Sequence, residues 1–276
     1  HLHREAPCRP LHQGRLDVCL IVMAVGRHPE YPLILAANRD EFHARPTADA
    51  GWWDDRPGVL GGRDLQAGGT WLAVSRQGRL ATVTNFRDAK LPDSGLRSRG
   101  HLVTGFLDDT SAPHDYLDSI DEDAYAGFNL IIADKDDVAY LSNREAGKRE
   151  LSPGIYGLSN ALLDGPWDKV ERSKERLCKL IEHDDVDVES LLRLMDDRNK
   201  GPADEIEHGR LDFDTAHAIT APFIVLPDYG TRCTTVVLVD RNGRWRLFER
   251  RFDSSGQATG DSDFSFMAGS SKADRA

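Results

Sequence analysis

The sequence has few of the features that mark exported, membrane-spanning or disulfide-rich proteins. Its 276 residues include four cysteines, which lie far apart without the spacing of a disulfide framework. It has no Asn-x-Ser/Thr acceptor, its opening segment lacks the apolar core of a secretory signal, and no apolar run approaches the roughly 20 residues that span a bilayer. We therefore expect a cytoplasmic protein without stable membrane insertion.

The sequence also lacks the charge pattern of nucleic-acid-binding proteins and the histidine spacing of metalloproteins. Its formal net charge is -11, and the arginines do not gather into a basic stripe. The ten histidines form no His-Glu-x-x-His motif, and Cys-Pro, a common haem-regulatory signature, is absent. We expect no nucleic-acid partner, no metal and no cofactor.

What remains is sufficient for one folded domain with loose ends. A hydrophobic content of 39% in a chain of this length allows a substantial core. We interpret residues 1–18 as a leader or a mis-assigned start. Residues 254–276 are rich in Ser, Gly and Asp, which predicts a disordered tail. Residues 19–253 then form a single domain.

Apolar runs separated by short turns predict several β-hairpins. The run Cys19–Val25 pairs with Leu33–Ala37, and an Asn-Gly turn joins Thr234–Val239 to Trp245–Arg250. Between these ends, Trp167–His183 has the periodicity of an amphipathic helix. Strands at both ends with helices between them predict an α+β fold in which helices cover antiparallel sheets.

Cys19 is the most informative residue because of its place at the head of an apolar strand. Val18, just before it, is the residue that a GUG start codon gives when it is read as an ordinary codon. If translation starts there and the initiator is removed, Cys19 carries a thiol and a free α-amine, so nucleophile and base share one residue. The alternative is that Cys19 packs in the core, as free cysteines commonly do.

Four polar residues, Asn38 to Glu41, follow the second strand directly. In a hairpin the end of the second strand returns to the start of the first, so this cluster should lie beside Cys19. A guanidinium such as that of Arg39 lowers the pKa of a neighbouring thiol, and a carboxylate such as that of Asp40 can hold an α-ammonium. The alternative is a solvated ion pair at a turn.

Other polar residues also flank apolar strands. Asn85 and Asn160 each follow one, and Arg232 precedes another. Asparagine amides are effective oxyanion donors because they present an N–H dipole without a charge. Each asparagine alone is more often a turn former, so it is their joint occurrence that suggests a site.

Several segments together resemble the NRDE family, whose eukaryotic members are the transport-and-Golgi-organisation 2 proteins. That family is similar to N-terminal-nucleophile hydrolases of the choloylglycine hydrolase and penicillin acylase type, which implies a four-layer αββα sandwich. The match covers most of residues 19–252. The segments that carry it are Cys19–Val22, Ala37–Phe42, Gly68–Leu72, Thr84–Arg87, Gly157–Asn160 and Thr231–Thr235.

The resemblance implies roles for particular residues. By motif order the catalytic set falls on Cys19, Arg39, Asp40, Asn85, Asn160 and Arg232, and Asn38, Trp71 and Phe86 are expected to contact substrate. Arg39 and Asp40 are adjacent here, whereas the hydrolases space the corresponding residues differently, so the site as a whole is better specified than each role.

Two functions from different classes follow from these residues. The first is a cysteine amidohydrolase or acyltransferase that acts on a C–N bond of a small acylated compound. The second is a non-catalytic protein that binds or traffics haem, acyl-CoA or a related amphiphile on the same scaffold, since a fold does not determine a function. Either way, the expected partner is a small acyl or amphiphilic ligand.

Overall fold

The computed structural model describes residues 18–87, 95–203, 206 and 211–269, so the expected leader, apart from Val18, lies outside the described residues. The described residues form thirteen strands and five α-helices. The strands are β1 (Cys19–Val25), β2 (Leu33–Phe42), β3 (Thr47–Trp52), β4 (Val59–Asp64), β5 (Leu72–Ser75), β6 (Leu80–Asn85), β7 (Phe128–Ala133), β8 (Val138–Ser142), β9 (Lys148–Glu150), β10 (Gly154–Leu158), β11 (Tyr229–Val239), β12 (Arg244–Phe252) and β13 (Ala258–Met267). The helices are α1 (Gly100–Asp108), α2 (Pro113–Asp118), α3 (Asp168–Glu182), α4 (Val188–Met195) and α5 (Phe213–Ala218).

The strands form two antiparallel sheets. The first has six strands in the order β10-β1-β2-β11-β12-β13, and the second has seven in the order β3-β4-β5-β6-β7-β8-β9. The first sheet therefore combines strands from the beginning, middle and end of the chain. Its centre is the pairing of β2 with β1 on one side and with β11 on the other.

The unbroken apolar sequence of β1 is explained by burial on both of its faces. Leu20 and Val22 pack with the helical layer of α3 and α4, whereas Ile21 and Met23 pack against residues of the second sheet. All four are at most 2% exposed. A strand covered on both faces needs apolar side chains at successive positions, since neighbouring side chains point to opposite sides.

The two sheets face each other, and helices cover both outer surfaces. One apolar cluster, which includes Leu35, Leu60 and Tyr140, fills the space between the sheets. A second lies between α1, α2 and the second sheet, and a third lies between α3, α4 and the first sheet. The order of layers is helix, sheet, sheet, helix, which confirms the predicted αββα sandwich.

The chain after residue 253 differs from the prediction of a disordered tail. Residues 258–267 form β13, an edge strand that pairs with the whole length of β12. Phe266 is 9% exposed and contacts Trp52 and Trp245 in the core between the sheets. The polar composition misled the prediction because most side chains of this edge strand face solvent and few residues anchor it. The last part of the expected tail, residues 270–276, lies outside the described residues.

Among the described residues, no helix is both long enough and apolar enough to cross a membrane.

Candidate active site

The register of the first sheet places three sequence-distant segments side by side. Cys19 on β1 pairs with Arg39 on β2, and Arg39 pairs with Cys233 on β11. One residue further along β2, Asp40 pairs with Thr231, just before a bulge in β11. The hairpin prediction that the end of β2 lies beside Cys19 is therefore confirmed by the strand pairing.

The backbone of Cys19 is held on both sides by residues that follow β10. The Cys19 amide nitrogen donates to Oδ1 of Asn160 at 2.8 Å, and the hydroxyl of Ser159 donates to the Cys19 carbonyl oxygen at 2.6 Å. Asn160 is 1% exposed. These contacts fix the position of the Cys19 nitrogen, which in a chain beginning at Cys19 is the α-amine.

Cys19 lines a cleft of about 590 Å³, which is called the cleft below. It is lined by the end of β2, by the loop before β5 and by residues that precede α1. Such a volume is within the usual range of small-molecule sites, roughly 300–1,000 Å³. Its polar and aromatic lining includes Cys19, Arg39, Asp40, Glu41, Arg45, Asp64, Trp71, Asn85, Arg97 and Arg99.

Asp40 is a buried carboxylate at the edge of this cleft. It is 5% exposed, and its Oδ1 accepts a hydrogen bond from the Thr231 hydroxyl at 2.6 Å. Its Oδ2 is buried and has no hydrogen-bond partner among the described residues. A buried carboxylate oxygen without a donor is costly, so this atom is a candidate acceptor for a group that the described chain does not supply.

Lys169, near the start of α3, is a buried cation that acts on the same group. It is 3% exposed, and its ammonium donates to the carbonyl oxygen of Ile219 at 3.2 Å. Burial raises the pKa of Asp40, and the positive charge of Lys169 opposes that rise. Burial lowers the pKa of Lys169, and the negative charge of Asp40 opposes that fall. The two groups therefore support each other's ionised forms.

The Cys19 thiol is not activated while its nitrogen is part of a peptide bond. Burial, followed by the negative charge of Asp40, raises the pKa of the Cys19 thiol to about 12. At neutral pH this thiol is protonated, and it needs a base to become a nucleophile.

Tyr229, the first residue of β11, connects this region to the residue before Cys19. Its hydroxyl accepts from the Val18 amide at 3.0 Å and lies 3.1 Å from the carbonyl oxygens of both Val18 and Asp40, to which it can donate. The ring is 1% exposed and Val18 is 4% exposed. Both sides of the Val18–Cys19 peptide bond are therefore held by buried polar side chains.

Arg39 is buried beside the thiol and is held by aromatic and polar contacts. Its guanidinium lies 4.2 Å from the centroid of the Trp71 ring, donates to the Thr47 hydroxyl at 3.2 Å, and lies 3.7 Å from the Glu41 carboxylate. Its charge lowers the pKa of the Cys19 thiol but does not outweigh burial. Arg39 and Trp71 thus form one wall of the cleft.

The two asparagines have different surroundings. Asn85 lines the cleft near Cys19. The amide nitrogen of Asn160 donates to the backbone carbonyl of Asn85 at 2.7 Å, and its oxygen binds the Cys19 nitrogen. The donor that we expected Asn160 to offer an oxyanion is therefore engaged elsewhere, and its side chain instead positions the Cys19 nitrogen.

Three residues that were expected in the site, Asn38, Phe86 and Arg232, do not line the cleft. Asn38 is 1% exposed, and its amide binds the carbonyl oxygens of Met195 and Pro222 and the Thr234 hydroxyl, so it cannot contact substrate. Its neighbour Arg39 faces the cleft because successive strand residues point to opposite faces.

Phe86 is not among the described residues that line the cleft. Arg232 lines an adjoining cavity and donates to the carbonyl oxygens of Phe42 and Arg45, so it braces the loop after β2 instead of meeting the thiol.

Lys169 and Tyr229 are functional candidates that sequence reasoning missed. Lys169 stands next to Val170 in an amphipathic helix, where a charged residue is normally assigned to the solvent face. Tyr229 begins a strand whose apolar run starts several residues later. The available signals were a Lys at the second position of the helix that begins after Pro166-Trp167, and a Tyr just before the Gly230-Thr231-Arg232 motif.

No group of His, Cys, Asp and Glu side chains within the described part of the chain could hold a metal ion. Cys19, Cys178 and Cys233, the cysteines that the structure describes, are all free thiols.

Comparison with known sequences identifies relatives along nearly all of the folded region. The family described as Transport and Golgi organisation 2 matches residues 18–254. The human Transport and Golgi organization protein 2 homolog is 37% identical over 256 residues, which cover 84% of this chain and 92% of the human protein. Transport and Golgi organization protein 2 of Drosophila melanogaster is 28% identical over 259 residues, which cover 84% of this chain and 91% of the fly protein.

Comparison with solved structures finds the same fold in a distant sequence. The Caenorhabditis elegans ortholog of N-acylethanolamine-hydrolyzing acid amidase matches with a TM-score of 0.50 and 12% identity, covering 80% of this chain and 92% of that protein. At this identity the similarity concerns the fold.

Proposed function

The chain belongs to the Transport and Golgi organisation 2 family, and we propose that it is a cysteine amidohydrolase of the N-terminal-nucleophile type. In this proposal the active form begins at Cys19 and cleaves the C–N bond of a small acylated compound in the cytoplasm. The observation that carries it is the site around the Cys19 nitrogen. Oδ1 of Asn160 accepts a hydrogen bond from that nitrogen. Asp40 is next to Arg39, the residue that pairs with Cys19, and its buried Oδ2 has no hydrogen-bond partner among the described residues.

The first step uses the two functional groups of Cys19. The neutral α-amine takes the thiol proton, directly or through one water, and Sγ attacks the carbonyl carbon of the substrate amide. Asp40, supported by Lys169, and the side-chain oxygen of Asn160 stabilise the α-ammonium that results. The amine thereby replaces the external base that a thiol with a pKa raised by burial would otherwise need.

The remaining steps return the enzyme to its starting state. Asn85, on the wall of the cleft, donates to the oxyanion, a type of contact whose loss costs roughly 10²- to 10³-fold in rate. Collapse of the tetrahedral intermediate breaks the C–N bond, and the departing nitrogen takes the proton from the α-ammonium. A water, deprotonated by the α-amine, then attacks the thioester carbon. Collapse breaks the C–S bond and releases the acid, and the α-ammonium returns its proton to Sγ.

The solved relative in fold supports the reaction class. That protein hydrolyses N-acylethanolamines according to its name, and it shares the layer arrangement that here places Cys19 at the end of a central strand. The similarity supports acyl–nitrogen chemistry and leaves the acyl group and the amine to experiment.

The rival function, a carrier of haem, acyl-CoA or a related amphiphile, uses the same region without chemistry. The observation in its favour is a second, largely apolar cavity that adjoins Val18. A carrier binds its ligand saturably whether or not Cys19 is present, and it does not hydrolyse that ligand.

The test is hydrolysis of a panel of small N-acyl amides and N-acyl amino acids by protein that begins at Cys19. We expect release of the free acid with at least one class, and a loss of about 10³-fold or more in Cys19→Ala, because the substitution removes the nucleophilic sulfur while the α-amine stays in place.

The matched control is Cys178→Ala, which removes a thiol on α3 that donates a hydrogen bond to Glu182 and should leave the rate unchanged. Equal rates in Cys19→Ala and the unaltered protein would refute the proposed nucleophile. Saturable binding of haem or a long-chain acyl-CoA to Cys19→Ala, with no turnover by any variant, would favour the carrier.

A further inference from the structure

A second cavity lies next to the cleft, on the helical side of the first sheet. It has a volume of about 390 Å³, and we call it the apolar cavity. The start of α3 and the end of α5 form its walls. Its apolar lining includes Val18, Pro166, Trp167, Pro202, Ala216 and Ile219.

The charged side chains in these walls do not make the apolar cavity an ion site. Lys169 donates to the carbonyl oxygen of Ile219, and Asp168 pairs with Arg172 at 3.0 Å. Arg87 is the third charged residue of the lining. With two of these charges engaged by the protein itself, most of the surface left for a ligand is hydrocarbon and the Trp167 indole.

Val18 is the residue that both spaces have in common. It lines the cleft and also lines the apolar cavity, and it is 4% exposed. Val18 therefore lies where the cleft that contains Cys19 and the apolar cavity adjoin. A chain that begins at Cys19 lacks Val18 at this position.

Val18 is also an acyl group joined to a nitrogen by an amide bond, as a substrate's acyl group would be. Its carbonyl oxygen is within hydrogen-bond distance of the Tyr229 hydroxyl, 3.1 Å away. Its side chain packs in one apolar cluster with Ile219, which also lines the apolar cavity. The structure thus records how an acyl carbonyl and its substituent are accommodated next to Cys19.

We propose that the acyl group of the substrate takes the place that Val18 occupies, with its carbonyl near the Tyr229 hydroxyl and its hydrocarbon chain in the apolar cavity. The ligand class is therefore an acyl compound with an extended apolar chain, and its nitrogen-bearing part lies in the cleft. This inference rests on the proposed function for the free Cys19 amine, but it concerns binding and is tested without turnover.

The experiment uses Cys19→Ala protein that begins at residue 19, so that no hydrolysis can occur. The ligands are straight-chain carboxylic acids of increasing length, with bromine at the chain end, and the signal is quenching of tryptophan fluorescence. We expect saturable quenching and an affinity that rises about fourfold for each added methylene until the cavity is full, as burial of about 0.8 kcal/mol per methylene implies.

Two conservative variants locate the chain. Trp167→Phe should remove most of the quenching, because Trp167 lines the apolar cavity, whereas Trp71→Phe, which alters the cleft, should keep it. The opposite result, with quenching lost in Trp71→Phe and kept in Trp167→Phe, would place the chain in the cleft and overturn the proposal.

A third comparison tests the role of Val18. The full chain, which retains Val18, should bind the same acids at least tenfold more weakly than the chain beginning at Cys19. Equal affinity would contradict the inference that the acyl group replaces Val18. If the acids bound tightly but the protein beginning at Cys19 hydrolysed none of the N-acyl amides, this inference would stand and the proposed hydrolysis would be refuted. The failure of the binding inference and the failure of the proposed function are therefore distinguishable.

Discussion

At the scale of single residues, the proposed chemistry depends on the ionised form of one buried carboxylate, that of Asp40. Asp40 is 5% exposed, and burial raises its pKa, as expected for a charge moved out of water. Its neighbour Arg39 and the buried Lys169 both favour the carboxylate, whereas Glu41 disfavours it. Of the two cations, Lys169 has the larger effect and comes from a helix some 130 residues further along the chain.

Lys169→Met is expected to move the acid limb of the kcat/KM profile to higher pH by about one unit. Without the cation, the Asp40 carboxyl loses an opposite charge and its pKa rises. The Cys19 α-ammonium loses a like charge, so its pKa rises as well. Because both pKa values rise, the active form, with Asp40 ionised and the α-amine neutral, is reached only at higher pH. The pH profile of amide hydrolysis measures the shift.

Lys169→Arg should restore the position of the acid limb, because it keeps the charge. Lys174→Met is the control: it lies on the same helix but pairs with Asp164 and Glu171 near the surface. An unchanged acid limb in Lys169→Met, together with an unchanged melting temperature, would show that Lys169 does not act on Asp40 or Cys19.

How much of the site could be predicted at this scale depends on sequence separation. The proximity of Cys19 and Arg39 follows from a single hairpin, so the local pattern was sufficient. The contact of Asp40 with Thr231 spans 191 positions, and no local pattern contains it. Alternation along β2 predicts that Asn38 lies on the face opposite to Arg39. Asp40 shares the face of Asn38 and still lines the cleft, so only the contacts of Asn38 with Met195 and Pro222 show that it is excluded.

At the scale of secondary structure, the predicted strands are those in which two apolar runs and the turn between them are adjacent in the sequence. The hairpins β1–β2 and β11–β12 both follow this rule, and both are observed. Strand β13 does not: its sequence is mostly polar, and only its pairing with β12 makes it a strand.

Phe266→Ala is expected to lower the free energy of unfolding by about 3 kcal/mol, because the ring is removed from the core between the sheets and the cavity left behind collapses only in part. Phe266 is 9% exposed and contacts both Trp52 and Trp245. Urea unfolding followed by circular dichroism measures the change.

Ser265→Ala provides the matched control, since it changes the adjacent exposed position of β13 and should alter the free energy of unfolding by less than about 0.5 kcal/mol. If Phe266→Ala were as stable as the unaltered protein, β13 would not anchor to the core as described.

At the scale of the whole molecule, the two-sheet architecture determines where chemistry can occur. Both sheets are covered on both faces, so most of each strand is inaccessible, and the strand ends are where polar groups can meet a ligand. Cys19, Asp40, Asn85 and Asn160 come from the ends of four strands or from just beyond them. The sandwich could be predicted through family resemblance, but the division of the region into a polar cleft and an apolar cavity at Val18 required the three-dimensional structure.

The central claim is that the Cys19 thiol is a nucleophile only when the Cys19 nitrogen is a free amine. The most direct measurement is mass-spectrometric mapping of an electrophilic acyl probe on two proteins, one beginning at Cys19 and the other retaining the residues before it. We expect acylation of Cys19 in the first protein and little in the second, where burial raises the pKa of the thiol to about 12 and no α-amine is available at Cys19. Equal labelling of the two proteins, or labelling that persists in Cys19→Ala, would contradict it.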